Sequence, residues 1–396
     1  MAKISIRNFF NWRRTNPYKA FLFQTSGFDK CAKFDERFPI LWSRAFYEIF
    51  NPIDIVCDRV CNLPFKKVDD SGKTIEFNAF EKEFMRRVNP ITTFTQFIYN
   101  YAFNTMASGN GFVHFLRTGD YISYANVLNS DLVMLNYTGS NGGKIISKDN
   151  NVENYQYLDY NYAKKEIFYS CYLPQTFDNE AKLGETPLKI VERNINLLSS
   201  VYMARWNVYN NNGMAGIITK KASNENAFDM ALDPVTQKTI SDELLEEYNI
   251  ARLNNIKGIS SVPLEFIKTL ATISELEPFR EVTADSIAIA AIFGVKKELL
   301  GRETDTTFNN QRDAERFLWQ NTIKSVSYDA SEMLETLFNL PSGQHIIPDF
   351  SQIEVLQDDE ETRIKTLISK IDAYDKVKQL TGMDYSPEIL EIAKTI

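Results

Sequence analysis

Residues 185–219 read ETPLKIVERNINLLSSVYMARWNVYNNNGMAGIIT, and this stretch sets the layout of the chain. Thr186–Pro187 is a helix start: a hydroxyl placed to cap the first turn, then a proline whose missing N–H costs nothing there. Apolar residues recur at Leu188, Val191, Ile195, Leu198 and Tyr202, at intervals of 3, 4, 3 and 4. One stripe therefore runs along a helix reaching to about Asn210. Asn210–Asn211–Asn212–Gly213 ends it, and Gly216–Thr219 reads as a strand.

Downstream, a compact insert follows: a polar stretch, a helix at Asp242–Leu253, and strands near Ile259–Val262 and Leu264–Thr269. A second helix is predicted over about Ser274–Phe293, stopped by Gly294, with a polar loop to Asn310. A third, long helix is predicted over about Gln311–Leu340. Its stripe is Trp319, Ile323, Val326, Ala330, Met333 and Leu337, and Pro341–Gly343 terminates it. Glu360–Leu380 and Pro387–Ala393 read as two more helices, the first closed by Gly382 and the second opened by Ser386–Pro387.

Upstream, residues 1–40 look loosely structured, with Arg13, Arg14 and Lys19 among Phe9, Phe10, Trp12, Tyr18 and Phe21. Two readings stand: an interaction arm, or a solvated terminus with a few anchoring aromatics. Residues 41–62 carry helix-like spacing, with Pro52 placed to open a second helix. Asp69–Gly72 is turn chemistry for a short hairpin between Val68 and Thr74–Phe77. Residues 79–108 read as helical, broken at Asn89–Pro90, with Thr92 or Thr93 as the next cap. In GNGFVHFLR, Gly109–Arg117, two glycines are expected to close the helix before a strand at Phe112–Leu116. Residues 118–172 hold short strand candidates separated by turn signals, an antiparallel β region. The fold class is therefore α+β.

The 396 residues are 44% hydrophobic and include 28 Phe and 19 Tyr, which excludes general disorder. The formal net charge is -8. A protein that grips nucleic acid by neutralising phosphates is usually basic, so any duplex contact is expected to be weak. Four cysteines form no CxxC pair; Cys57 and Cys61 would share one face of a helix as reduced thiols. Nothing at the start resembles a secretory signal, and the longest apolar run, Ile287–Val295, is far short of the ~20 residues a membrane span needs. Synthesis and assembly in a cytoplasm, with no membrane partner, are expected.

A catalytic constellation is not visible. His114 and His345 lie on distant segments, and there is no GxSxG elbow and no glycine-rich phosphate cradle. The acids Asp358, Asp359, Glu360 and Glu361 open a helix, where negative charge is favoured by the helix dipole. No cofactor and no metal are expected.

Several segments together resemble the tailed-bacteriophage portal protein family. Glu185–Thr219 is similar to the family's Pro-Leu start, long helix and aromatic–Asn–Gly end. AIAAIFGVKKELLG, Ala288–Gly301, is similar to its "IFGV–two residues–ELLG" segment; Lys296 and Lys297 stand where the family often has a proline. TTFNN, Thr306–Asn310, resembles the loop before the longest helix, and Gly109–Arg117 resembles the Gly-Asn strand of the preceding domain. The order and spacing of these motifs, over about residues 80–340, carry the resemblance.

The resemblance implies a portal fold with a wing (1–184), a two-helix stem (185–211 and 274–293), an αβ clip (212–273) and a tunnel loop (294–310). A long wing helix (311–349) and a small helical crown (350–396) complete it. It implies a ring of about twelve subunits, closed head-to-tail, that forms the capsid-vertex channel for packaging and ejecting DNA. The expected location is the virion. The implied partners are the terminase large subunit, then a head–tail adaptor protein, with the major capsid protein and scaffold around the ring. Double-stranded DNA would be contacted without sequence preference. The channel-loop residues would be Lys296, Lys297, Arg302, Thr304, Thr306, Thr307, Phe308, Asn309 and Asn310. For Phe308 two roles stand, a wedge against DNA or an anchor into its own helix. Motor and adaptor docking would fall on the clip helix, at Glu243, Glu246, Glu247 and Arg252. The alternatives are another virion connector protein, or a nucleic-acid-related enzyme with an unrecognised site.

Overall fold

A computed structural model describes residues 33–119, 121–137, 152–172, 184–210, 216–220, 264–268, 278–301 and 308–357, and positions 364–365 and 368–369. The expected arm at 1–32, most of the insert, residues 302–307 and the C-terminal helices lie outside those residues. The chain divides into two compact units, residues 1–34 with 192–286, and residues 35–191 with 287–396.

The second unit opens with α1 (Pro39–Ala45) and α2 (Tyr47–Cys61). The break falls at Phe46, whose backbone is extended, and not at Pro52, which sits buried inside α2. The expected helix start at Pro52 is thus corrected. One lost backbone bond is tolerated because Ile49, Ile53, Val56 and Val60 on the same helix are fully buried. Cys57 and Cys61 are free, buried thiols on α2; burial pushes both up, Cys61 to about 11, so neither is a ready nucleophile.

β1 (Phe65–Asp69) and β2 (Thr74–Ile75) form the expected hairpin, in which Asp69 accepts from the backbone of Ser71 and Lys73. α3 (Ala79–Arg86) and α4 (Phe94–Ser108) each begin with a reciprocal cap, Asn78 with Glu81 and Thr93 with Gln96. Gly109, at φ 76, closes α4. The second glycine does not: Gly111 already lies in β3 (Asn110–Thr118). A Cβ at Gly111 would collide with Thr105, Ser170 and Tyr101, so close packing is what requires glycine there.

β3 is central in an antiparallel sheet with β4 (Tyr121–Val127) and β8 (Ile167–Cys171). β5 (Val133–Tyr137), β6 (Val152–Tyr157) and β7 (Tyr160–Ala163) form a second antiparallel sheet. Phe112, Leu128, Val133, Val152, Tyr155 and Ile167 join the two sheets in one apolar cluster.

The Thr186 hydroxyl donates to the Ala107 carbonyl and accepts from Leu188 N–H, so the cap is tied to the end of α4. The first turn after it, Pro187–Lys189, is a 3-10 turn, and the α-helix proper, α5 (Glu192–Asn210), starts later than the spacing predicted. In the first unit, β9 (Gly216–Lys220) and β10 (Leu264–Lys268), strands read from the sequence, pair antiparallel, a partnership the sequence does not reveal. α6 (Pro278–Ile292) begins in the first unit and ends in the second.

The predicted long helix is interrupted. α7 (Phe308–Leu318) and α8 (Lys324–Phe338) are joined by a π turn at Trp319–Ile323. Ala314 and Leu318 are buried before it and Trp319, Ile323 and Val326 after it, so the buried face slips by one position there. The wide turn absorbs the extra residue while both faces stay inward. Past α8, β11 (Gln344–Pro348), unforeseen in the sequence, pairs antiparallel with β1.

Candidate DNA-channel and docking sites

The expected tunnel loop is divided by the structure into a packed root and a short remainder. Gly294 has φ 72, which suits glycine. A Cβ there would also overlap the Thr322 hydroxyl of the π turn, so the loop leaves α6 in close contact with the long helix. Val295 and Leu300 are buried at 2% and 7% exposure. Between them Lys297–Leu299 is a 3-10 turn preceded by extended Lys296. Lys296 and Lys297 are exposed, and the Lys296 ammonium sits 4.4 Å from the centroid of the Phe317 ring on α7. Lys296 is thus held by the loop's own base. Gly301, at φ 67, has open space around its Cα.

Arg302, Thr304, Thr306 and Thr307 lie outside the described residues. Phe308 opens α7, and Asn309 and Asn310 follow in its first turn, both exposed. These three therefore belong to the helix, three positions before the predicted start at Gln311. Glu243, Glu246, Glu247 and Arg252 also lie outside the described residues.

Behind the root stand polar anchors that sequence reasoning missed. Glu315 of α7 accepts from Arg59 Nε at 2.6 Å and from its Nη2 at 2.8 Å, and from Trp319 Nε1 at 3.0 Å. Asp329 of α8 accepts from the Tyr101 hydroxyl at 2.7 Å and the Ser170 hydroxyl at 3.3 Å. Burial raises the Asp329 carboxyl above its ordinary value; the hydrogen bond from Tyr101 works the other way. Asn110 accepts from Gly184 N–H and donates to its carbonyl, so residues 172 and 184 return to one point, where Tyr172 N–H also meets the Gly109 carbonyl. None of these groups pairs a nucleophile with a base, and among the described residues no cluster of three or more His, Cys, Asp or Glu is placed to hold a metal.

The chain belongs to the phage portal protein family, whose profile matches residues 48–373. That makes it a structural component of a virion and not an enzyme. Similar solved structures include the neck of an empty gene transfer agent particle computed with C6 symmetry. There the identity is 17%, the TM-score 0.61, and 90% of this chain and 96% of the other are covered. For the neck of the native particle computed with C12 symmetry, identity is 16%, the TM-score 0.56 and coverage 92% and 99%. An HK97-family phage portal protein from Corynebacterium diphtheriae is similar at 12% identity and TM-score 0.51, over 78% and 93% of the two chains. Among curated proteins none matches the sequence significantly.

Proposed function

We propose that this chain is the subunit of a twelve-fold ring at one vertex of a capsid, through which double-stranded DNA is packaged and later ejected. The observation that carries the reading is the family match over residues 48–373, joined by fold likeness to a neck computed with C12 symmetry. Residues 1–184 and 311–349 make the wing, α5 and α6 the stem, residues 212–273 the clip, and 350–396 the crown. The clip meets the terminase motor first and the head–tail adaptor afterwards, through the surface of Asp242–Leu253 that carries Glu243, Glu246, Glu247 and Arg252. The wing sits among the major capsid protein and scaffold.

Residues 301–310 touch DNA. Threonine and asparagine groups meet phosphates without reading base edges, as a channel for any sequence requires. A net charge of -8 keeps duplex binding weak, so DNA slides. The chain grips and releases while the motor supplies the energy.

The test is packaging of DNA into capsids whose portal lacks Glu303–Thr307, the part of the loop before α7. Rings should form normally, and genome length or retention should fall. Wild-type packaging and retention would remove the loop from DNA handling.

A further inference from the structure

The end of α8 separates two adjoining clefts, both within the second unit. Asn339, with a left-handed backbone at φ 49, closes the helix, and Leu340 and Pro341 follow before β11. Asn339 and Leu340 line both clefts, so the two are continuous across this turn.

The first cleft has a volume of about 340 Å³ and apolar walls: Phe80 and Phe84 of α3, Ile122 of β4, then Phe338, Leu340 and Pro341. Phe84 is buried and packs edge-on against Phe338, which fixes one wall to the other. Phe80 makes a contact within the chain and still leaves 57% of its surface exposed, area that a ligand would take out of water. Lys67 and Glu81 also line the cleft, but they are buried and pair at 3.1 Å, so they add no net charge. The side-chain amides of Asn339 and Gln344 have no partner among the described residues. An amide both donates and accepts, as a peptide backbone does, and apolar walls with a few uncommitted polar groups define a binding site.

The second cleft, about 450 Å³, is more open and carries Arg117, Lys164 and Lys165 against a single acid, Glu335. Two of these are used by the fold. Arg117 donates to the Thr336 and Leu337 carbonyls at the end of α8, and Glu335 accepts from Ile346 N–H at 2.8 Å. Lys164 and Lys165 are exposed on a 3-10 turn; Lys164 has a contact within the chain, and Lys165 has no ion-pair partner among the described residues. A positive groove thus stands in a chain whose net charge is -8.

We propose that the paired clefts hold an extended peptide segment of another protein. Its bulky apolar side chain sits between Phe80, Ile122 and Leu340, and acidic residues beside that anchor lie over Lys164 and Lys165. Clefts of this size take one or two side chains and some backbone, not the flat face of a folded neighbour. The carboxylates of Glu81 and Glu335 in the lining disfavour a polyanion such as single-stranded DNA. The assignment does not depend on the ring reading.

The test pans a displayed library of random peptides against the full-length protein and measures the enriched peptides by fluorescence anisotropy, with thermal melts of each variant. Enriched sequences should carry an aromatic or large aliphatic residue next to acidic ones. Phe80→Ala, and separately Lys164→Glu with Lys165→Glu, should each weaken them by about tenfold, while Phe80→Leu, which keeps apolar bulk, stays within about twofold. Lys324→Glu, exposed on α8 outside both clefts, should leave binding and melting unchanged. Added salt should weaken wild-type binding more than that of the lysine variant. No enrichment, or peptides indifferent to the cleft variants, would overturn the proposal. Three further results would overturn it by naming another occupant. Displacement of the peptides by a synthetic copy of residues 358–396 would give the cleft to this chain's own C-terminal segment, and displacement by oligothymidine to nucleic acid. Loss of self-association in the cleft variants would give it to a second copy.

Discussion

Arg59 of α2 and Glu315 of α7, 256 positions apart, meet as a two-pronged ion pair at 2.6 and 2.8 Å, with side chains only 25% and 20% exposed. The planar guanidinium matches the carboxylate edge, and Trp319 donates to the same carboxylate from the π turn. The pair ties α7 to α2. Glu315→Ala should therefore cost about 2 kcal/mol, because it strands a half-buried cation and an indole N–H. Arg59→Ala should cost a similar amount, and the double variant less than the sum. Urea denaturation of the four proteins reads the coupling. Simple additivity would mean the two residues act independently.

The glycines at the two ends of the loop root need glycine for different reasons, and alanine separates them. Gly294→Ala meets both a left-handed backbone and the Thr322 hydroxyl, so it should cost about 2–3 kcal/mol. Gly301→Ala meets only the backbone, so about 1 kcal/mol is expected. Equal losses in thermal melts would show that the contact with the π turn carries no weight.

Asp329 gives stability a pH dependence with a definite sign. Its folded carboxyl holds a proton more tightly than the unfolded one. The associated stability is present below the unfolded value and is lost as pH rises through the folded value. Asp329→Asn removes this proton uptake. Wild type should therefore gain on Asp329→Asn as the medium is acidified from about pH 7 toward about pH 4, by urea midpoint. A constant difference between the two proteins would show that Asp329 does not titrate on folding.

What could be read in advance was local. The stripe Trp319–Leu337 is buried as its spacing predicts, the stripe Leu188–Tyr202 is buried as far as Leu198 with Tyr202 half-buried, and Thr93 and Thr186 cap the turns they precede. Pro52 misled because burial of its own helix outweighs one lost hydrogen bond. The start of α7 was set late because Asn309 and Asn310 look like loop residues, although a helix tolerates them in a first turn whose N–H groups face water. The π turn left a faint signal, the clash of phase between Ala314–Leu318 and the stripe from Trp319 onward. The pairing of β11 with β1 and the Arg59–Glu315 contact join residues far apart in the chain, where local periodicity carries no information. The docking residues and the centre of the loop rested on resemblance alone.

The central claim is that copies of this chain close into a ring around a channel. Electron microscopy of the purified protein, alone and co-assembled with scaffold and capsid protein, tests it most directly. Class averages should show a twelve-fold ring with a central hole wide enough for duplex DNA, roughly 20 Å across or more. A folded monomer at every concentration and with every assembly partner, or a closed particle without a hole, would contradict the account.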